Sequence, residues 1–184
     1  MKSIKFIIIF LKFFLLFNTL NAENREFQLN KLFNELKINN IELTKGTEQK
    51  IWKIWSTHPT NQKLTYRLAE GSALVRDNQL SKAIEIFTEV INQDPKWAEA
   101  WNKRATALYI LGDFNGSQND IDKVLNLEER HFGALAGQGL VNIKLKNYEK
   151  AIESYKKVQK IYPTMQSPRT MIKQIEELIK QQLI

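Results

Sequence analysis

Residues 98–131 read AEAWNKRATALYILGDFNGSQNDIDKVLNLEERH, and the same pattern stands 34 residues earlier and 34 residues later without a gap. Ala105 answers to Gly71 and Gly139, and Phe114 to Leu80 and Tyr148. Ser117 answers to Ala83 and Ala151, Ile121 to Phe87 and Tyr155, and Val124 to Val90 and Val158. Pro95 and Pro163 lie two periods apart, with Glu129 between them. Apolar residues recur at helical spacing on both sides of Gly112, a residue suited to the left-handed turn at a helix end. Each copy is therefore a pair of helices joined by a tight turn. The copies cover 64–97, 98–131 and about 132–165. In the first, helices over Gln62–Arg76 and Leu80–Asn92 flank the turn Asp77-Asn78-Gln79. Small residues let the paired backbones approach, and the aromatic between them fills the gap.

Outside the copies, Phe27, Leu29, Leu32, Phe33 and Leu36 predict a short amphipathic helix, and Asn39 to Gly46 a loop. A second helix carries Ile51, Trp52, Ile54 and Trp55 on the way to His58-Pro59, where the residue before proline leaves helical geometry. Gln49 stands where the period asks for a small residue. Residues 23–61 are thus read as a helical hairpin that caps the N-terminal end of the stack, or as a degraded copy. At the other end Ser167 and Pro168 suit an N-cap and first helical position. Met171, Ile172, Ile175, Leu178, Ile179 and Leu183 then form one stripe, which makes 166–184 a capping helix. A free amphipathic helix lying on a membrane is the alternative.

Residues 1–22 have the layout of a secretory signal peptide. Lys2 and Lys5 precede two apolar runs broken by Lys12, and Ala22 offers a small residue for cleavage, although Leu20 is large for the position two before it. The expectation is cleavage after Ala22 and a periplasmic, exported protein without stable membrane insertion afterwards. An uncleaved membrane anchor is the alternative. Lys2, Lys5 and Lys12 are three of the 27 basic residues, so without the leader 24 face 20 acidic ones, a net of about +4. The two signs are interspersed, as in Glu149-Lys150, so no nucleic-acid partner is expected. The chain has no cysteine, which excludes disulfides, thiolate metal sites and lipidation at cysteine.

A period of 34 with these small and aromatic positions resembles the tetratricopeptide repeat (TPR) family over Leu64–Tyr162. The segments 98–105 and 130–135 are also similar to a group of small exported bacterial TPR proteins. The resemblance implies an all-α, right-handed superhelix of antiparallel helix pairs. The first helices would line a concave groove that holds an extended peptide or a partner helix. The groove positions, the second, fifth, ninth and twelfth of each first helix, are Thr65, Leu68, Ser72 and Val75 in the first copy. They are Glu99, Asn102, Thr106 and Tyr109 in the second, and Gly133, Ala136, Leu140 and Ile143 in the third. Asn102, Thr106 and Tyr109 share one helical face, with Trp101, Ala105 and Leu108 turned to the core. A solvated inner face with no ligand is the plain alternative, and the Trp52–Trp55 hairpin is a second candidate surface. Some family members clamp a chaperone's C-terminal carboxylate with Lys, Asn and Arg. Here Leu68, Ser72, Gly133 and Gly137 occupy clamp positions and only Lys103 is basic, so that ligand is not expected. Asn142 replaces the core residues Leu74 and Leu108, which predicts a shallow site near the end of the stack.

No catalytic constellation appears. His58 and His131 are the only histidines and lie far apart in sequence; Asp120 and Asp122 point to different sides of a helix. No HExxH, phosphate-binding or dinucleotide motif occurs. The expectation is a non-enzymatic interaction scaffold without cofactor or metal, working on a protein or peptide partner in the cell envelope. A substrate-presenting accessory subunit of an exported enzyme is the rival.

Overall fold

A computed structural model describes residues 23–38 and 40–182; the expected leader lies outside them. All regular structure among these residues is helical. In chain order the helices are α1 (23–36), α2 (Ile41–Ser56), α3 (Gln62–Arg76), α4 (Leu80–Gln93) and α5 (Ala98–Leu111). They continue as α6 (Phe114–Leu127), α7 (Phe132–Lys144), α8 (Tyr148–Ile161) and α9 (Gln166–Gln182). The three copies are α3–α4, α5–α6 and α7–α8, each an antiparallel pair stacked on the next, with α9 on the end against α8.

The turns inside the pairs repeat in their backbone as well as in their sequence. Asn78, Gly112 and Lys146, 34 residues apart, all have positive φ, at 57°, 92° and 59°. Glycine and asparagine enter that region readily, whereas lysine does so at a steric cost.

Packing within the pairs follows a matched choice of residues. A Cβ added to Gly71 would lie 2.5 Å from the Phe87 ring, and one added to Gly139 would lie 2.5 Å from the Tyr155 ring. In the middle copy Ala105 faces the smaller Ile121, and both are buried. Where the second helix brings an aromatic ring, the first helix gives up its side chain. Polar links between paired helices also recur in register. Arg104 binds Asp120 through Nε–Oδ2 at 2.7 Å and Nη2–Oδ1 at 2.8 Å. One period later Ser154 Oγ donates to Gln138 Oε1 at 3.0 Å.

Four readings change. Residues 41–46 of the expected loop are helix: α2 starts at Ile41, because Asn40 caps it by accepting the Leu43 N–H, and Asn39 lies outside the described residues. Helix α9 starts at Gln166, ahead of Ser167, and Pro168 is accommodated in its first turn, where amide donors have no intrahelical partner. Asn142 is buried, not shallow, and Nδ2 donates to Gln138 O at 2.8 Å and Gln118 Oε1 at 3.4 Å. The N-terminal hairpin is not seated as an end cap. Leu29, Leu32, Phe33, Leu36, Ile51 and Trp55 share a core with Phe132, Leu135, Val158 and Tyr162, which belong to the last copy.

That hairpin runs along the edge where one copy passes into the next. His58, just after α2, pairs with Asp94 at 2.8 Å, at the first junction. Trp55 accepts the Trp97 indole N–H on its carbonyl at 2.8 Å at the same junction, and stacks on His131 at the second. Glu48 accepts the Tyr162 hydroxyl at 3.0 Å and Thr44 meets Thr164 at 2.9 Å, at the third. Asp94, Glu128 and Tyr162 are themselves one period apart and close α4, α6 and α8. A helix rises ~1.5 Å per residue, so about seven residues of α2 advance ~10 Å, the spacing of adjacent packed helices. Helix α2 and the turn that follows it thereby meet three successive junctions.

Candidate functional site

The second position of each first helix faces the N-terminal hairpin. Thr65 accepts the His58 amide N–H on Oγ1 at 2.9 Å. The Gly133 position is occupied by Trp52, whose ring lies 2.5 Å from where a Cβ would stand. Between them Glu99 is buried in a polar network. Its Oε2 accepts from His131 Nε2 at 3.0 Å and from Asn102 Nδ2 at 3.0 Å, and its Oε1 pairs with Lys103 Nζ at 3.0 Å. The Lys103 ammonium also stands 5.6 Å over the Trp52 ring.

The histidine chemistry is set by the backbone. His131 precedes α7, and its Nδ1 accepts the Ala134 N–H at 3.0 Å, so its proton resides on Nε2 and is donated to Glu99. His58 repeats the arrangement: Nδ1 accepts from Thr60 and Asn61, while Nε2 faces Asp94. Both histidines cap a chain turn with one nitrogen and tie a carboxylate with the other. Burial works to raise the Glu99 carboxyl, but the hydrogen bond from His131 and the Lys103 ammonium outweigh it and hold Glu99 below the usual carboxylate range.

Farther along the first helices the concave face is open. A small cavity of about 80 Å³ lies between α5 and α7, lined among others by Asn102, Thr106, Tyr109, Gly133, Gly137 and Leu140. Thr106 is exposed, and Leu140 is an apolar side chain left 38% exposed beside it. Gly137 keeps the floor low, its nearest neighbour to an added Cβ being Ile121 at 3.6 Å. Tyr109 forms a wall, braced by the Phe114 ring at 5.5 Å.

Of the twelve groove positions, Asn102, Thr106, Tyr109, Gly133 and Leu140 thus surround one cavity. The others lie elsewhere. Leu68 is in the core of the first copy with Leu64, Ala83 and Phe87, and Glu99 is in the buried network, so neither offers surface to a partner. Thr65 holds the chain after α2, and Ser72 turns its hydroxyl back to the Leu68 carbonyl at 2.8 Å. Ile143 packs toward Ala151, Tyr155 and Ile175. Asn102 itself is 8% exposed, with its amide committed to Glu99. Trp101 is only partly buried, with its indole N–H on the Pro95 carbonyl and Arg104 stacked over its ring. The His131–Glu99 and His58–Asp94 pairs escaped the reading of the sequence. Their partners are 32 and 36 residues apart, and the one local signal was a histidine just before a helix start.

Among the described residues no group of histidine and acidic side chains is arranged to hold a metal ion. No helix among them is long and apolar enough to cross a membrane.

Comparison with known proteins agrees with this geometry. Residues 68–117 and 132–165 match family models of the tetratricopeptide repeat. A TPR repeat-containing protein of Rhizobium etli is 30% identical over 103 residues, 56% of this chain and 50% of that protein. The Hsp70-Hsp90 organizing protein 1 of Glycine max is 29% identical over 97 residues, 53% of this chain and 17% of that protein. The chain therefore spans half or less of the length of these relatives. The first TPR domain of Spaghetti (RPAP3), solved with an HSP90 peptide, superposes with a TM-score of 0.63 at 20% identity, covering 65% of this chain and 94% of that one. The Sgt2 TPR domain of Aspergillus fumigatus gives 0.62 at 19% identity, over 65% of this chain and 81% of that one. With the 34-residue period, the paired helices and the glycine–aromatic contacts all in place, the stack is similar to tetratricopeptide repeats over residues 68–117 and 132–165.

Proposed function

We propose that the chain is a non-enzymatic protein–protein interaction module of the bacterial cell envelope, holding a peptide or partner helix on the concave face of its repeats. The observation that carries this reading is the opening between α5 and α7, where glycine floor, exposed Leu140 and the Thr106 and Tyr109 side chains surround a cavity of about 80 Å³. That volume suits one small apolar side chain of a ligand and not a free metabolite. The N-terminal hairpin covers the nearer groove positions, so the partner is received on the far half of the face. The leader-like residues 1–22 support export, with a first mature residue of Glu23.

Solved neighbours of this fold hold HSP90 or HSP70 peptides. The one basic side chain at a clamp position here, Lys103, is engaged by Glu99 and Trp52, which argues against an acidic chaperone tail as ligand. The test is capture from a periplasmic extract by the wild type and by a Thr106→Arg/Leu140→Arg variant, with intact mass of the exported chain alongside. Loss of a captured envelope protein in the folded variant supports the reading. Equal capture by both places the binding surface elsewhere, and a full-length mass in the membrane fraction removes the export assignment.

A further inference from the structure

Helix α2 faces the repeats with Thr44, Ile51 and Trp55, and its other side meets α1 around a second concavity. This groove encloses about 680 Å³. Leu32, Ile54 and Pro59 give it an apolar floor, and Arg25, Lys31, Lys50 and Lys53 line it with positive charge. Glu35 is the carboxylate among its lining residues, and it is engaged by the Thr47 hydroxyl at 3.0 Å.

These cations differ from Arg130 and Lys103, which also lie against the hairpin. Arg130 is satisfied by Glu26 and Glu128, and Lys103 by Glu99. Among the described residues, the Lys31, Lys50 and Lys53 ammonium groups form no ion pair. Arg25 is half-buried, and its guanidinium donates to a neutral group, the Thr57 carbonyl, at 2.9 Å. Burial depresses its pKa by more than the nearby Glu128 and Glu26 restore. A cation removed from water without a matched anion gains from a carboxylate brought to it.

The groove is long as well as basic. From Arg25 to Glu35 along α1 is ~15 Å, room for about two and a half helical turns or four to five extended residues. A bilayer is a broad surface that meets protruding faces, whereas a concavity with an apolar floor receives a single segment.

We propose that the α1–α2 groove is a second docking site, for an acidic amphipathic segment of a partner protein. Its carboxylates face Lys31, Lys50, Lys53 and Arg25, and its apolar side chains rest on Leu32, Ile54 and Pro59. The site is independent of the concave face of the repeats, because α2 stands between the two.

The test uses the chain purified as its host makes it and a fluorescein-labelled amphipathic peptide of about 14 residues, with glutamates on one face and leucines on the other. Fluorescence anisotropy is expected to show saturable binding that weakens as salt rises. Reversal of Lys31 and Lys53 to Glu is expected to weaken it about tenfold, the sum of a few exposed ion pairs lost and made repulsive. Both residues are exposed, so the circular dichroism spectrum should not change; if it does, the Lys31→Ala/Lys53→Ala variant takes its place. The Thr106→Arg/Leu140→Arg variant should bind the peptide normally, which separates this site from the concave face. Absence of binding, equal binding of a glutamine-for-glutamate peptide, or no effect of the lysine substitutions overturns the proposal. Sedimentation with phosphatidylglycerol-containing vesicles in the absence of peptide binding also overturns it and reassigns the groove to lipid.

Discussion

The ring of His131 lies flat on that of Trp55, with centroids 3.9 Å apart and planes 10° from parallel. One residue belongs to the N-terminal hairpin and the other to the junction between the second and third repeats. Trp52 meets the same imidazole edge-on at 5.6 Å, and Phe132 stands 5.1 Å from Trp55. This aromatic cluster fastens the hairpin to the middle of the array.

Trp55→Ala should therefore lower stability by ~3–5 kcal/mol, the usual cost of deleting a large buried aromatic. Urea unfolding measures it. A loss below ~1 kcal/mol would mean that the hairpin is not anchored through this ring. Trp101→Ala, at a partly exposed site, should cost less.

Part of the acid and alkaline dependence of stability should trace to two residues. The folded Glu99 carboxyl lies below its ordinary value of 4.5, so its contribution is present above that pH and is lost as pH falls through the lower folded value. Tyr155 moves the other way. Burial, and then the neighbouring Tyr109, push its phenol from 10.0 up to about 12. The unfolded chain ionises first, so stability declines as pH rises from about 10 to 12. Urea midpoints taken across pH should show a shallower acid slope in Glu99→Gln and a shallower alkaline slope in Tyr155→Phe. Since the Tyr155 hydroxyl is buried without a protein partner, Tyr155→Phe should not destabilise at neutral pH.

Lys146 and Gly112 occupy the same left-handed turn position in successive repeats. Lys146→Gly should raise stability by ~1 kcal/mol by relieving the contact of Cβ with the backbone, and Gly112→Ala should lower it by a similar amount. Thermal midpoints of the two variants should move in opposite directions. Movement in the same direction would show that the turn backbone is not as described.

Gly139 and Gly137 are two residues apart on one helix and should respond oppositely to alanine. At Gly139 the new Cβ would sit 2.5 Å from the Tyr155 ring, and overpacking should cost ~1–3 kcal/mol. At Gly137 the nearest atom is 3.6 Å away, so helix propensity should leave stability unchanged or up to ~1 kcal/mol higher. Gly137→Ala also raises the cavity floor, so partner capture should fall although the fold is intact.

The period of 34 determined the helices, the turns and the inward positions of the repeats, because a local pattern repeated in register constrains each copy in the same way. The positions of Gly71, Gly139 and Gly112 could be interpreted from spacing alone. The concave face was legible in part: Asn102, Thr106, Tyr109 and Leu140 do surround one cavity. Glu99 occupies the same nominal face, and whether it meets solvent depends on what is laid over that face, whereas Leu68 is buried within the first copy itself.

Only the tertiary structure decided where the N-terminal hairpin goes. Its sequence breaks the period, so it carries no register with the repeats, and its helical pattern says which side is apolar but not what that side covers. The answer lies in contacts such as Thr44 with Thr164, separated by 120 residues, and His58 with Asp94. Each requires the array to be stacked first, since the three junctions align along one helix only after the pairs have packed. The burial of Glu99, the caps made by both histidines and the basic groove between α1 and α2 all follow from that placement.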